Sequence, residues 1–148
     1  MYLQRAHNRP FCSMSGWVVI SGLALALCSL PVSVGAAVTT FVAEDYAFTG
    51  PEQLDSGWQT VRLINHGRDV HQVQLLALPS GKTLADVERA MASRSPSLPS
   101  WLRRHGGVNA VRPDAEASVD VQLEPGDYVL LCGIPDVAGR PHAMRGMV

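Results

Sequence analysis

Within the stretch from Gly126 to Met147 lie three residues whose donor atoms metals favour. Cys132 offers a thiolate, His142 an imidazole and Met147 a thioether. That soft set suits copper better than magnesium, calcium or manganese, which take oxygen ligands. A trigonal His₂Cys copper site with a long axial Met needs one further imidazole. The best-placed one is His71, far upstream at the head of an amphipathic run. Taken singly, each residue has a plainer reading. A free cysteine is often just a small buried hydrophobe. A histidine on an apolar strand face is more often a satisfied core residue than a ligand. His66 and His105 sit beside glycines and read as exposed loop residues, and Met144 reads as loop packing. Only His71, Cys132, His142 and Met147 together point to a metal.

The elements around these residues read as short strands. Residues 37–43 are β-branched and brief, and 46–48 continue extended until Gly50-Pro51 breaks the run. Residues 58–64 alternate, with Trp58, Thr60, Arg62 and Ile64 on one face and Gln59, Val61 and Leu63 on the other. Asn65 to Asp69 is turn chemistry. His71 to Leu78 is the clearest amphipathic strand, with His71, Val73, Leu75 and Ala77 sharing a face. Thr83 predicts a helix N-cap with an acid in the first turn, followed by Leu84, Val87 and Met91 on one stripe. That stripe fits packing on a sheet. Residues 101–107 read as a loop, with Arg103 and Arg104 solvated. Residues 108–111 form a short strand, and in 117–123 Val119, Val121 and Leu123 share a face. Tyr128, Leu130 and Cys132 share a face of the last strand. If it runs antiparallel beside the His71 strand, the two ligands meet at one end of the core. Pro135, Gly139 and Pro141 can turn the intervening loop outward and still return His142. Several short strands with Gly/Pro turns predict an all-β sandwich or barrel.

Length and charge set outer bounds. A chain of 148 residues supports one domain. A net charge of -1, with Lys82 the sole lysine, gives no reason to expect nucleic acid as a partner. Residues 1–36 have the order of a secretory signal peptide: Arg5 and Arg9 without an acid, an apolar stretch over 17–34, and small residues before Ala37. A retained membrane anchor is the rival reading. Pro31 and the small residues after it favour cleavage, hence no stable membrane insertion. A lipidated Cys28 is disfavoured by the bulky Leu27. The expectation is a periplasmic or secreted domain over 37–148. Cys12 and Cys28 leave with the leader, so Cys132 is then the single cysteine of the domain, with no partner for an internal disulfide.

These segments resemble the cupredoxins, the small blue-copper proteins of the plastocyanin and azurin type. The resemblance rests on Asn65 with His71, on Gly126-x-Tyr128-x-x-x-Cys132, and on His142-x-x-x-x-Met147 with Gly146 before the methionine. It covers most of 37–148 and is strongest over the last strand and its loop. It implies a cupredoxin-like Greek-key β-sandwich with one short inserted helix. It also implies one type 1 copper ion held by His71, Cys132, His142 and Met147.

Two functions of different class follow as expectations. One is an exported carrier of single electrons between redox partner proteins. The other is a copper-holding or delivery module, or a metal-free binding module, without electron-transfer activity. An enzyme is not expected, because copper oxidases and reductases of this kind need a second metal site. No serine-histidine-acid spacing, phosphate loop or paired carboxylates stand out. A zinc site from His71, Cys132, His142 and Asp136 is conceivable, but it leaves Met147 without a role.

Overall fold

The computed structural model describes residues 3–7, 37–92 and 98–148. Period-2 alternation and frequent turns give nine strands in two mixed sheets among these residues. One sheet runs β4 (Gln53–Asp55), β1 (Leu3–His7), β9 (Gly126–Leu131), β6 (His71–Leu78) and β7 (Arg103–Val111). The other runs β3 (Ala47–Thr49), β2 (Ala37–Glu44), β5 (Gly57–Asn65) and β8 (Glu116–Leu123). Phe41, Val61 and Leu63 of the second sheet face Val73, Leu75, Tyr128 and Leu130 of the first across a common core. The architecture is the expected all-β sandwich, with a single α-helix among the described residues.

The strands that carry the site are covered on both faces. Behind β6 and β9, Leu76, Leu78, Val129 and Leu131 pack against Val87 and Met91 of α1 (Leu84–Met91). This explains why Val129-Leu130-Leu131 is a continuous apolar run, not an alternating one. Each such side chain withdrawn from water contributes about 1.5–3 kcal/mol. The helix begins where its cap predicts. Thr83 Oγ1 accepts from the Asp86 amide at 3.3 Å, and the Thr83 amide donates back to Asp86 Oδ2 at 2.9 Å.

Several strand bounds and exposures depart from the sequence reading. Strand β7 starts at Arg103, whereas the sequence reading opens it at Val108. Its pairing with β6 shifts register twice, and Gly107 lies at one shift with φ +132°. A Cβ there would sit 2.1 Å from the Val73 carbonyl oxygen. Only glycine allows that approach. Gly107→Ala is therefore expected to destabilise the protein by about 2–3 kcal/mol, read as a lower urea midpoint. Tyr46 does not extend the strand over 46–48; with φ +66° it turns the chain between β2 and β3. Val119 is 36% exposed although it shares its face with buried Val121 and Leu123, since β8 forms the margin of its sheet.

Leu3–His7, which the sequence reading assigns to the leader, forms β1. It pairs antiparallel with β9 and parallel with β4, and Ala6 is buried in the main core. Arg5 Nε donates to Asp127 Oδ1 at 2.9 Å. The apolar stretch 17–34 and the expected cleavage point before Ala37 lie outside the described residues. No helix among those described is long and apolar enough to cross a membrane.

Candidate metal centre

Four polar side chains lose all contact with water at one end of the sandwich, and each is placed by a specific device. Asn65 ends β5 fully buried. Its Nδ2 donates to the carbonyls of Asp69 (2.8 Å) and Val111 (2.9 Å), while Oδ1 accepts from the Gly67 amide (2.8 Å). The turn it closes sets down His71 as the first residue of β6. Strands β6 and β9 are antiparallel neighbours, with Gln74 opposite Leu131. The head of one therefore meets the tail of the other, and Cys132 follows directly on β9. Its amide donates to the Met147 carbonyl at 3.2 Å and its carbonyl accepts from the Ala143 amide at 2.9 Å.

The loop between Cys132 and His142 is a closed hairpin. Pro135 bridges to Pro141, and the Asp136 amide donates to the Arg140 carbonyl at 2.8 Å. The Asp136 carboxylate is nearly buried. It accepts from the amides of Ala138 and Arg140 and from the guanidinium groups of Arg140 and Arg145. Those amides first of all hold its carboxyl below the usual carboxylate range. Asp136 is thereby committed to its own loop, which removes it as the fourth ligand of the zinc alternative. The hairpin turns the loop aside, as Pro135, Gly139 and Pro141 suggest, and returns His142 at the start of a short 3₁₀ helix (His142–Arg145). Gly146 follows with φ +99°, a left-handed conformation that brings Met147 back into the core.

Three donor atoms converge. His71 Nδ1 and His142 Nδ1 are 3.1 Å apart, and Cys132 Sγ lies 3.9 Å and 3.6 Å from them. The point equidistant from the corners of that triangle lies about 2.1 Å from each, which matches the ~2.0–2.3 Å that nitrogen and sulfur keep from a first-row ion such as zinc. Cys132 and His71 are 0% exposed and His142 is 1% exposed. Burial pushes the Cys132 thiol up, against the pull of the Gln72 and Ile134 amides. Burial, then the charge of His142, pulls His71 down, while Asp45 opposes both. Two imidazole lone pairs and a sulfur aimed at one dry point repel one another unless a cation or a shared proton lies between them. The arrangement therefore suits a metal. Among the described residues, these three are the group of His, Cys, Asp or Glu side chains placed to hold one.

The ring edges that face away from this point have acids beside them. His71 Nε2 lies 3.6 Å from Asp45 Oδ1, and His142 Nε2 lies 4.0 Å from Asp69 Oδ2. Both nitrogens are buried and neither has a hydrogen bond, since these separations exceed hydrogen-bond length. The acids still favour a proton on Nε2, which leaves each Nδ1 lone pair free for a metal. Asp45 is itself held low, chiefly by the Arg68 amide. Tyr46 covers His142, with ring centroids 5.2 Å apart and planes at 89°. Gly67 is confined to glycine, because a Cβ there would lie 2.7 Å from both Asp45 Oδ1 and His71 Nε2.

Of the four residues singled out in the sequence, three are thus brought together. Met147 is fully buried in the same core cluster as Cys132. Met144 instead lines a surface hollow beside Glu88, Met91 and Ala92 of the helix end. His105 Nε2 is spent 2.7 Å from the Gln122 carbonyl, remote from the centre. The sequence reading missed Asp45, Tyr46, Asp69 and Gly67. Gly67 and Asp69 fall in the turn after β5 that the sequence marks, whereas nothing local marked Asp45 and Tyr46 between β2 and β3.

No family model matches the chain, and no curated protein matches it. Solved structures similar to it include the following two. One is dithionite-reduced auracyanin from the photosynthetic bacterium Roseiflexus castenholzii, at 19% identity and a TM-score of 0.46, over 68% of this chain and 88% of auracyanin. The other is an azurin from the obligate methylotroph Methylomonas sp. strain J, at 16% identity and a TM-score of 0.44, over 66% of this chain and 87% of the azurin. What the chain itself shows is the two-sheet sandwich and the His71, Cys132, His142 cluster at one end of it.

Proposed function

We propose that the chain is an exported, small type 1 copper protein that carries single electrons between redox partner proteins and catalyses no reaction of its own. The observation that supports it is the dry convergence of His71 Nδ1, His142 Nδ1 and Cys132 Sγ at the head of a rigid sandwich. These three would hold copper, and Met147 would be the weak axial ligand. Copper bound by such a set cycles between two oxidation states one electron at a time. The protein's own contribution is to hold the donors still and keep water out, so little has to move when the charge changes. The full burial of all three donors argues against the delivery alternative, which needs an open path to hand its ion on. The test is the visible spectrum of the purified protein with added Cu(II). Intense blue absorption is expected. A colourless protein that binds copper tightly would support the holding module.

The axial assignment separates two methionines. An axial bond is long and weak, so its loss tunes the site. Met147→Leu should keep the blue colour and raise the reduction potential, because an apolar group disfavours the more charged Cu(II). Met144→Leu should leave the potential nearly unchanged. A larger shift from Met144→Leu would reverse the assignment.

Copper affinity should climb with pH. The Cys132 pKa is raised, so the metal-free protein carries a thiol that must lose its proton on binding. The His71 pKa is lowered, so that ring is already neutral near pH 7 and releases none. Competition titrations between about pH 7 and 8 should show binding that tightens as pH rises, by up to roughly tenfold per unit, the scale of the one proton that Cys132 releases.

Export carries a prediction of its own. Cleavage before Ala37 detaches β1, which leaves β9 paired only with β6. The N-terminal sequence of the secreted protein decides between a processed domain and one that keeps Leu3–His7.

A further inference from the structure

The donor triangle sits at the head of β6, and the tail of that strand borders something else. There Ala77, Leu78 and Pro79 form one wall of a hollow of about 620 Å³. Trp101, Arg103, Arg104, His105 and Glu124 form the others. A strand rises about 3.3 Å per residue, so roughly 20 Å of β6 separates this hollow from His71. Its walls are held in place by the fold. Arg103 and Arg104 open β7 opposite Ala77 and Leu76. Trp101 is half-buried against the apolar cluster beneath α1. His105 Nε2 donates to the Gln122 carbonyl at 2.7 Å. At the far corner the Glu124 amide donates to the Tyr128 hydroxyl at 3.0 Å, which donates to the Glu124 carbonyl at 2.8 Å.

The charge around the hollow is unbalanced. Elsewhere guanidinium groups face carboxylates, as Arg5 does Asp127, Arg62 does Glu116 and Arg145 does Asp136. Arg103 and Arg104 are exposed and form no ion pair among the described residues. Residues 1–2, 8–36 and 93–97, outside that set, contain no Asp or Glu to pair with them. Lys82 adds a further cation, its Nζ 5.1 Å from the centre of the Trp101 ring. Against these stands the Glu124 carboxylate, exposed among the walls.

We propose that this hollow binds a small anion that carries an aromatic ring, its charge being a carboxylate or a phosphate monoester. A guanidinium fork grips two oxygens of either group at once. Trp101 and the Ala77–Pro79 wall offer apolar area to the ring. The volume falls within the ~300–1,000 Å³ of small-molecule pockets and exceeds what a bare ion fills. The inference is independent of the carrier reading.

The test is an NMR titration of the full chain with benzoate and with phenyl phosphate. Saturable shifts are expected at the Trp101 indole and at the Arg103 and Arg104 amides, in metal-free and copper-loaded protein alike, with any blue band unchanged. Arg103→Gln and Arg104→Gln should each weaken binding by up to roughly fivefold, the upper end for an exposed ion pair. Both positions are exposed, so the urea midpoint should hold. Glu124→Gln removes the opposing charge and should tighten binding, a gain that misfolding cannot mimic. Tighter binding of benzoate identifies a carboxylate ligand, and tighter binding of phenyl phosphate a phosphate monoester. Benzyl alcohol binding as well as the anions would overturn the proposal, since charge would then play no part. Inorganic phosphate matching phenyl phosphate would remove the ring's role and overturn it equally. So would shifts that never saturate, or that gather on Gln72, Gln74 and Gly133 in the neighbouring hollow that Arg104 also borders.

Discussion

Cys132→Ser is expected to abolish the blue absorption entirely while the domain stays folded. The colour belongs to a thiolate-to-copper transition, and a serine oxygen neither provides it nor binds copper as softly. Cys132 is the free cysteine of the described residues and is fully buried, so nothing nearby can substitute for it. Folding should survive at a cost of about 1–3 kcal/mol, because the exchange puts a hydroxyl into a dry site. His71 and His142 offer it a hydrogen-bonding neighbour. Spectrum and urea midpoint together check this. Unaltered blue colour in Cys132→Ser would refute the centre itself.

The second large effect separates the histidines. His71→Ala and His142→Ala should each bleach the protein, because each removes one corner of the donor triangle. His66→Ala and His105→Ala should keep full colour. His66 is exposed in the turn that Asn65 closes, and His105 is bonded to the Gln122 carbonyl on another part of the sandwich. Added imidazole entering the space left by His71→Ala would restore part of the band, which a merely unfolded variant cannot do. Bleaching by His66→Ala with colour kept in His71→Ala would mean that β6 is displaced by the length of the turn.

His71 and Cys132, two members of the cluster, were legible because each sits where local chemistry marks an element's end. His71 follows a turn rich in Asn, Gly and Asp and heads an alternating strand. Cys132 closes an apolar run that starts at a Gly-Asp turn. The helix was legible in Thr83 and Asp86 for the same reason. What stayed hidden was set by contacts between segments. Arg103 to Gly107 has the composition of a loop, and only β6 beside it makes it a strand, with Gly107 admitted against the Val73 carbonyl. Tyr46 reads as a strand residue until its positive φ and the His142 ring give it another task. Leu3–His7 has the composition of a leader, and only its pairing with β4 and β9 reveals a strand.

The burial of Cys132 has a meaning for the protein's life before it meets metal. Thiol–disulfide exchange requires a thiolate that can reach the sulfur it attacks. Here the sulfur is out of reach of solvent, and its surroundings keep it in the unreactive thiol form. In an oxidising compartment, a newly folded copy can therefore wait without cross-linking to small disulfides or to its neighbours. The same packing that shapes the centre would shield the sulfur of a metal-free copy of the proposed copper protein, so a shortage of metal would not by itself spoil the chain.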